Sequence, residues 1–266
     1  MLFSWQSSLF AALLSPLADQ RATYPPTYGH RVVASFPHDP KAFTQGLHYE
    51  PSGTLLESTG LYGESSVRRV ELATGRVLEM EPLPADLFGE GLAVCGSTCF
   101  QLTWRERLCL VRDTATFAML GTAPIPATMR EGWGLTHDGK DALYASDGSS
   151  TLHVFDDTTL QVTRRVQVTA GGSPLPRIND LQWIKGELWA NLWHDERVAV
   201  IQPESGVVRC FIDLSGLLTA NERRRLDSHE HVLNGLAHDP TTGRIFVTGK
   251  CWPRLFEVEV PELESE

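Results

Sequence analysis

Short runs of alternating apolar and polar residues recur along the chain, among them VRRVEL (Val67 to Leu72), LHVF (Leu152 to Phe155) and VAVI (Val198 to Ile201). That period is the signature of a half-buried β-strand. A longer repeat lies over it. The pentapeptides FTQGL (Phe43 to Leu47), FGEGL (Phe88 to Leu92), EGWGL (Glu131 to Leu135), RINDL (Arg177 to Leu181) and VLNGL (Val232 to Leu236) align without gaps. Their fourth positions fall at 46, 91, 134, 180 and 235, at intervals of 45, 43, 46 and 55 residues. A recurring period of about 40–45 residues is the length of a propeller blade.

After each pentapeptide come a Gly-bearing turn and further short strands. The first of these are LLES (Leu55 to Ser58), FQLT (Phe100 to Thr103), LYAS (Leu143 to Ser146), LWAN (Leu188 to Asn191) and IFVT (Ile245 to Thr248). Four strands per unit, repeated five times, predict an all-β, five-bladed β-propeller. The last unit reaches Leu255 to Val260 with no fourth strand to follow, whereas His30 to Phe36 precedes the first unit and belongs to no blade. This N-terminal strand, about 30–36, is therefore expected to close the ring by pairing with Leu255 to Val260. The longest interval holds a polar insertion, residues 216–230, with Thr219 placed as a helix N-cap and Glu222 three residues on.

The domain organisation that follows is a single propeller over 30–260, an N-terminal extension over 19–29 and a tail over 261–266. Residues 8–18 are apolar over the length of a signal-peptide core and end in a small residue, but no Lys or Arg occurs before Arg21. If residues 1–18 are a leader, the location is secreted or periplasmic; if not, it is cytoplasmic. No other segment approaches the ~18 apolar residues of a membrane span. With 23 basic against 33 acidic residues, a net charge of −10 and a single basic run at Arg223 to Arg225, the chain has no electrostatic footprint for nucleic acid or an anionic membrane. No heptad or long apolar helix demands a partner subunit, so a monomer is expected. The cysteines number five, an odd count. Cys95 and Cys99 flank a turn-like Gly-Ser-Thr and read equally as a hairpin disulfide or as small buried side chains.

In a propeller, equivalent repeat positions converge at the mouth of the central channel. The residues just before the repeat's Gly or Asp are Gln45, Glu90, Trp133, Asn179 and Asn234. Two positions earlier, on the same strand side, lie Phe43, Phe88, Glu131, Arg177 and Val232. At the far end of the next strand come Gly60, Trp104, Asp147, Trp193 and Lys250. These build a pocket with aromatic walls and a few polar groups, including a carboxylate–ammonium pair of Glu90 with Lys250. Trp104, Trp133 and Trp193 interrupt the alternation beside Gly or charge; Trp5, Trp183, Trp189 and Trp252 read as packing or surface. A plainer account stands beside this one, with the polar ring satisfying backbone groups and channel water, and Glu131 pairing with Arg130 or Arg177. The histidines show no zinc spacing with Cys. No G-x-S-x-G elbow or Gly-rich phosphate loop occurs.

From about His30 to Glu259 the chain resembles the plant and bacterial type of glutaminyl cyclase (glutaminyl-peptide cyclotransferase, or glutamine cyclotransferase). The resemblance rests on FTQGL, ESTGLYGESSVR (Glu57 to Arg68), FGEGL, LTW (Leu102 to Trp104) and EGWGL. It continues through LYASDGS (Leu143 to Ser149), INDLQW (Ile178 to Trp183), LWANLW (Leu188 to Trp193) and LNGLAHD to VTGK (Leu233 to Lys250). The resemblance implies a five-bladed propeller that converts the N-terminal glutamine of peptides or proteins to pyroglutamate with release of ammonia. No cofactor is required for that catalysis and no metal, although a structural divalent ion is compatible with the fold. The resemblance also implies a pocket of Phe43, Phe88, Trp104, Trp133 and Trp193 for substrate, with Gln45, Glu90, Asn179 and Lys250 as catalytic groups. Glu90 is expected to act as base and then acid, and Asn179 and Lys250 as donors to the developing oxyanion. Two alternatives remain: a calcium-dependent propeller lactonase or hydrolase using Glu90, Glu131, Asn179 and Asn234 as oxygen ligands, and a non-catalytic peptide-binding propeller.

Overall fold

The computed structural model describes residues 23–264, so the candidate leader and Trp5 lie outside the described residues. Five four-stranded antiparallel sheets follow one another around a ring. Blade 1 comprises Thr44–Glu50, Thr54–Thr59, Ser66–Glu71 and Val77–Pro82, and blade 2 Gly89–Cys95, Thr98–Thr103, Leu108–Asp113 and Met119–Pro124. Blade 3 comprises Leu135–His137, Ala142–Ala145, Thr151–Asp156 and Val162–Gln167, and blade 4 Ile178–Ile184, Glu187–Leu192, Arg197–Ile201 and Val208–Asp213. Blade 5 has Leu233–His238, Ile245–Gly249 and Arg254–Glu259, and its outer strand is Arg31–Pro37 from the other end of the chain. Ring closure thus follows the expected pairing, with Ser35 opposite Phe256 and Phe36 opposite Leu255.

Both faces of each inner sheet pack on a neighbouring blade, so the apolar residues form five separate clusters, each between consecutive blades. Adjacent residues of one strand serve different clusters, because successive side chains point to opposite faces. Leu55 packs toward blade 5 with Phe246 and Leu255, and Leu56 packs toward blade 2 with Leu92 and Cys99. Each such buried aliphatic side chain contributes about 1.5–3 kcal/mol. The outer strand Val77–Pro82 has only one neighbouring strand and is exposed throughout.

The repeat glycines hold the inner strands together. A Cβ on Gly91 would lie 2.5 Å from the Leu135 backbone N, and one on Gly134 would lie 2.0 Å from the Asn179 carbonyl O. No side chain fits between these strands, which is why glycine recurs at the blade period. In blade 4 the equivalent residue is Asp180, and its Oδ2 accepts the Leu236 backbone N–H of blade 5 at 2.9 Å.

The N-terminal extension is more structured than its composition suggests: Thr27–Tyr28 adds a parallel fifth strand to blade 4, opposite Phe211 and Ile212. Tyr24 stacks on Phe211 with ring centroids 5.7 Å apart. The insertion carries the helix Ala220–Arg225 with Thr219 as N-cap and Glu222 closing the capping box. All five cysteines are free; Cys99 is buried and the Cys95 thiol donates to Asp157 Oδ2 at 3.4 Å. No helix among the described residues is long and apolar enough to cross a membrane.

Candidate active site

The starts of the inner strands meet at one mouth of the ring and surround a cavity of about 280 Å³. Its lining contains all nine expected residues: Phe43, Gln45, Phe88, Glu90, Trp104, Trp133, Asn179, Trp193 and Lys250. This volume is at the small end for ligand sites, a match for one residue side chain with its termini. Glu90 and Gln45 stand on inner strands whose neighbours are the repeat glycines, so the close blade contact sets their separation. Trp193 and Lys250 directly follow their strands, and the residue after each, His194 and Cys251, has left-handed backbone with φ of 59° and 57°, which turns the chain out of the sheet.

Glu90 is 4% exposed and Lys250 5% exposed. Burial raises the Glu90 carboxyl well above the usual carboxylate range, with Lys250 opposing and Glu131, Glu106 and Asp180 reinforcing the rise. Burial likewise lowers the Lys250 ammonium, against the attraction of Glu90, Glu230 and Asp180. The two are coupled through space but do not form the direct ion pair expected from sequence. The Lys250 Nζ instead sits 4.7 Å from the Phe43 ring centroid, where the ring face accepts a cation. Phe43 meets Phe88 edge-on at 6.1 Å, and Phe88 meets Trp104 at 5.4 Å. Room for the Phe88 ring comes from Gly60, where a Cβ would lie 2.3 Å from it.

The polar groups are few and directed. Asn234 is buried outside the lining and donates through Nδ2 to the Thr44 carbonyl at 3.0 Å and to Gln45 Oε1 at 3.4 Å. Asn179 is 2% exposed and its Oδ1 has no hydrogen-bond partner. Glu131 does not line the cavity; it stands behind the walls and accepts the indole N–H of both Trp104 and Trp133. Its cationic neighbour is Arg105 at 3.3 Å, neither Arg130 nor Arg177. Asp147 pairs with His153 at 3.4 Å and is likewise outside the cavity.

Two lining residues escaped the sequence reading. Leu61 adopts φ 82°, rare for a side-chain-bearing residue, and its carbonyl accepts from Glu64 N, Ser65 N and Ser65 Oγ. Glu230, on the insertion, accepts the Trp193 indole N–H at 3.1 Å and faces His229 and His194 at 3.1 and 3.6 Å. Its sequence neighbours His229 and His231 have no zinc spacing with Cys, and nothing in that triplet marks Glu230 as an indole acceptor.

Of the four oxygen ligands of the calcium reading, Glu90 and Asn179 line the cavity while Glu131 and Asn234 do not, and the Lys250 ammonium shares the lining with them. Among the described residues, Cys95, His137 and Asp157 place three ligand-type atoms within 4.8 Å of one another. Gly139 N–H donates to His137 Nδ1 at 3.1 Å, so Nε2 carries the ring proton and donates to Asp157 Oδ2 at 3.1 Å. That group is a hydrogen-bonded dyad with a thiol, at the end of the blade 2 inner strand opposite Glu90.

Comparisons with known proteins agree with this geometry. The family model for glutamine cyclotransferase matches residues 7–260. A glutaminyl-peptide cyclotransferase from Arabidopsis thaliana is 42% identical over 238 residues, covering 88% of this chain and 72% of the relative. The crystal structure of Myxococcus xanthus glutaminyl cyclase aligns with a TM-score of 0.81 at 36% identity, covering 88% of this chain and 97% of that one. The chain belongs to the glutamine cyclotransferase family.

Proposed function

We infer that the cavity cyclises the N-terminal glutamine of a peptide to pyroglutamate with release of ammonia, and that Glu90 carries both proton transfers. The supporting observation is the environment of Glu90: a buried carboxylate whose basicity has been raised, facing a cavity the size of one residue. The nucleophile is the substrate's α-amine, with a reference pKa of about 8. A base of ordinary carboxylate strength is poorly matched to it, and burial brings Glu90 closer.

In the first step the amine proton passes to Glu90 as the α-nitrogen bonds to the side-chain Cδ. Negative charge then collects on the γ-carboxamide oxygen. Asn179 and Lys250 are the donors placed for it, and fixed donors in a dry site stabilise such charge most. Glu90 then returns the proton to the amide nitrogen, the Cδ–N bond breaks and ammonia leaves. Gln45 orients the substrate amide. Phe43, Phe88, Trp104, Trp133 and Trp193 hold the flexible side chain folded toward its own amine and exclude water, which would otherwise yield glutamate. The reading includes a metal-independent reaction, because the Lys250 ammonium lines the same cavity as the carboxylates Glu90 and Glu230 and opposes a divalent cation there. It also has the protein acting as a monomer, without nucleic acid or membrane partners.

The test is ammonia release from a short peptide beginning with Gln, followed with and without EDTA, for wild type and Glu90→Gln. Turnover that survives EDTA and falls by about 10²- to 10⁴-fold in the variant supports the reading. Peptide binding without ammonia from the wild type, over a panel of Gln-peptides, would make the molecule a binding propeller instead.

A further inference from the structure

Trp104 directly follows the second strand of blade 2, and Trp133 leads into the inner strand of blade 3. Their indole N–H groups converge on one atom, Oε2 of Glu131, at 2.9 and 3.0 Å. The second oxygen, Oε1, accepts from Arg105 Nε at 3.3 Å, and the Arg105 guanidinium lies 3.7 Å over the Trp104 ring. Trp104 is thereby held at its edge by an anion and on its face by a cation. Trp133 is confined on its other sides by Trp193, edge-on at 5.7 Å, and by Gly148, where a Cβ would come within 2.8 Å of the ring.

We propose that Glu131 is the positioning residue of the aromatic walls, tying the blade 2 and blade 3 tryptophans to a single carboxylate so that they present only ring faces and C–H edges to the glutamine side chain. The proposal rests on the cavity being the site of cyclisation. It adds what keeps two large rings from different blades in mutual register. Hydrogen bonds from indole N–H to a carboxylate are charge-assisted and about twice as strong as neutral ones. Both donors are committed outward, so neither indole competes with Asn179 and Lys250 for the amide oxygen. A glutamine side chain allowed to unfold leaves its Cδ far from the amine, and a shift of about 1 Å in such a wall costs on the order of 10²-fold in rate.

The experiment compares wild type, Glu131→Ala and Glu131→Gln in steady-state cyclisation of a Gln-peptide, together with the indole N–H resonances of each protein. Glu131→Gln keeps an acceptor oxygen; Glu131→Ala keeps none. The expected result is a loss of about 10- to 100-fold in kcat/KM for the alanine variant. The glutamine variant restores most of it, and the resonances of Trp104 and Trp133 move most in the alanine variant, with Trp252, whose indole N–H donates to the His231 carbonyl at 3.0 Å, as internal reference. Alanine-variant kinetics within about twofold of wild type, or equal losses in both variants with the two indole resonances unmoved, would overturn the proposal. If the alanine variant fails to fold, the glutamine variant and its resonances decide alone: wild-type-like resonances with a tenfold loss exclude a role through the tryptophans. An inactive wild type would instead count against the cyclase reading, while the indole resonances would still report the tie.

Discussion

The Lys250 ammonium rests over the Phe43 ring, 4.7 Å from its centroid, and is hydrogen-bonded to no carboxylate among the described residues. A buried ammonium held by a ring face keeps its N–H donors free for an incoming oxygen, where an ion pair would spend them. Lys250→Met retains the stem and removes the charge. It should lower kcat by about 10²- to 10³-fold, the usual cost of losing an oxyanion donor. Because Lys250 opposes the rise in Glu90, its removal should also move the acid limb of the pH–rate profile upward. Unchanged kcat would remove Lys250 from the chemistry.

Glu90 links activity to stability in opposite directions. Its folded-state pKa is raised above the ordinary 4.5, so its contribution to stability is fully present below that value and lost as pH rises through the raised one. Glu90→Gln has no charge to bury. It should therefore be inactive yet melt higher than wild type at alkaline pH, with the gap closing near pH 4. Parallel melting curves at all pH values would contradict the raised pKa.

Gly134→Ala tests the blade spacing. The new methyl would meet the Asn179 carbonyl at 2.0 Å, and an overpacked contact costs about 1–3 kcal/mol. Since Asn179 belongs to the cavity, kcat/KM should fall along with stability. Gly121→Ala, on an outer strand with nothing within 4 Å, is the control and should change neither. Equal melting temperatures for both variants would show that blade spacing tolerates the methyl.

A buried network pins the junction of blades 1 and 5. His38 Nδ1 donates to the Trp252 carbonyl at 2.7 Å and Nε2 to Glu57 Oε1 at 2.9 Å, so the ring is an imidazolium. Arg68 completes it, donating from Nε to Glu57 Oε2 at 2.8 Å and from Nη1 to Asp39 Oδ2 at 2.8 Å. Against the cost of burial, His38 and Arg68 hold Glu57 down to about 2. Burial is outweighed at His38 too, where Glu57 raises the ring above 6.5. Glu57 stabilises above its ordinary 4.5 and loses that contribution as pH falls toward about 2. His38 stabilises below 6.5 and loses its share as pH rises through its raised value. Stability from this network therefore peaks between these limits. Glu57→Gln should cost about 3–5 kcal/mol there and flatten the profile; a variant whose melting temperature tracks wild type across pH would sink this account.

The five-fold spacing of Gly46, Gly91, Gly134, Asp180 and Gly235 was readable because the position recurs once per blade; at Gly46, Gly91 and Gly134 a neighbouring backbone comes too close for a side chain, and at Gly235 a φ of 117° favours glycine. The nine cavity residues were readable for a related reason: equivalent repeat positions must converge on one axis, and family motifs surround them. Where symmetry is broken, the sequence is silent. Glu131 stands among the repeat positions, yet nothing local says that its carboxylate faces two indoles from different blades instead of the channel. Glu230 reaches the cavity from an insertion that has no counterpart in the other blades, and Thr27–Tyr28 finds its partner strand about 180 residues away. The sequence by itself determined the blade count, the inner-strand glycines and the identity of the pocket residues, since these follow from periodicity and short-range pattern. Only the tertiary structure decided which charges meet, because partners such as Lys250 and Phe43 are chosen by distance and burial across the ring, quantities that no local pattern encodes.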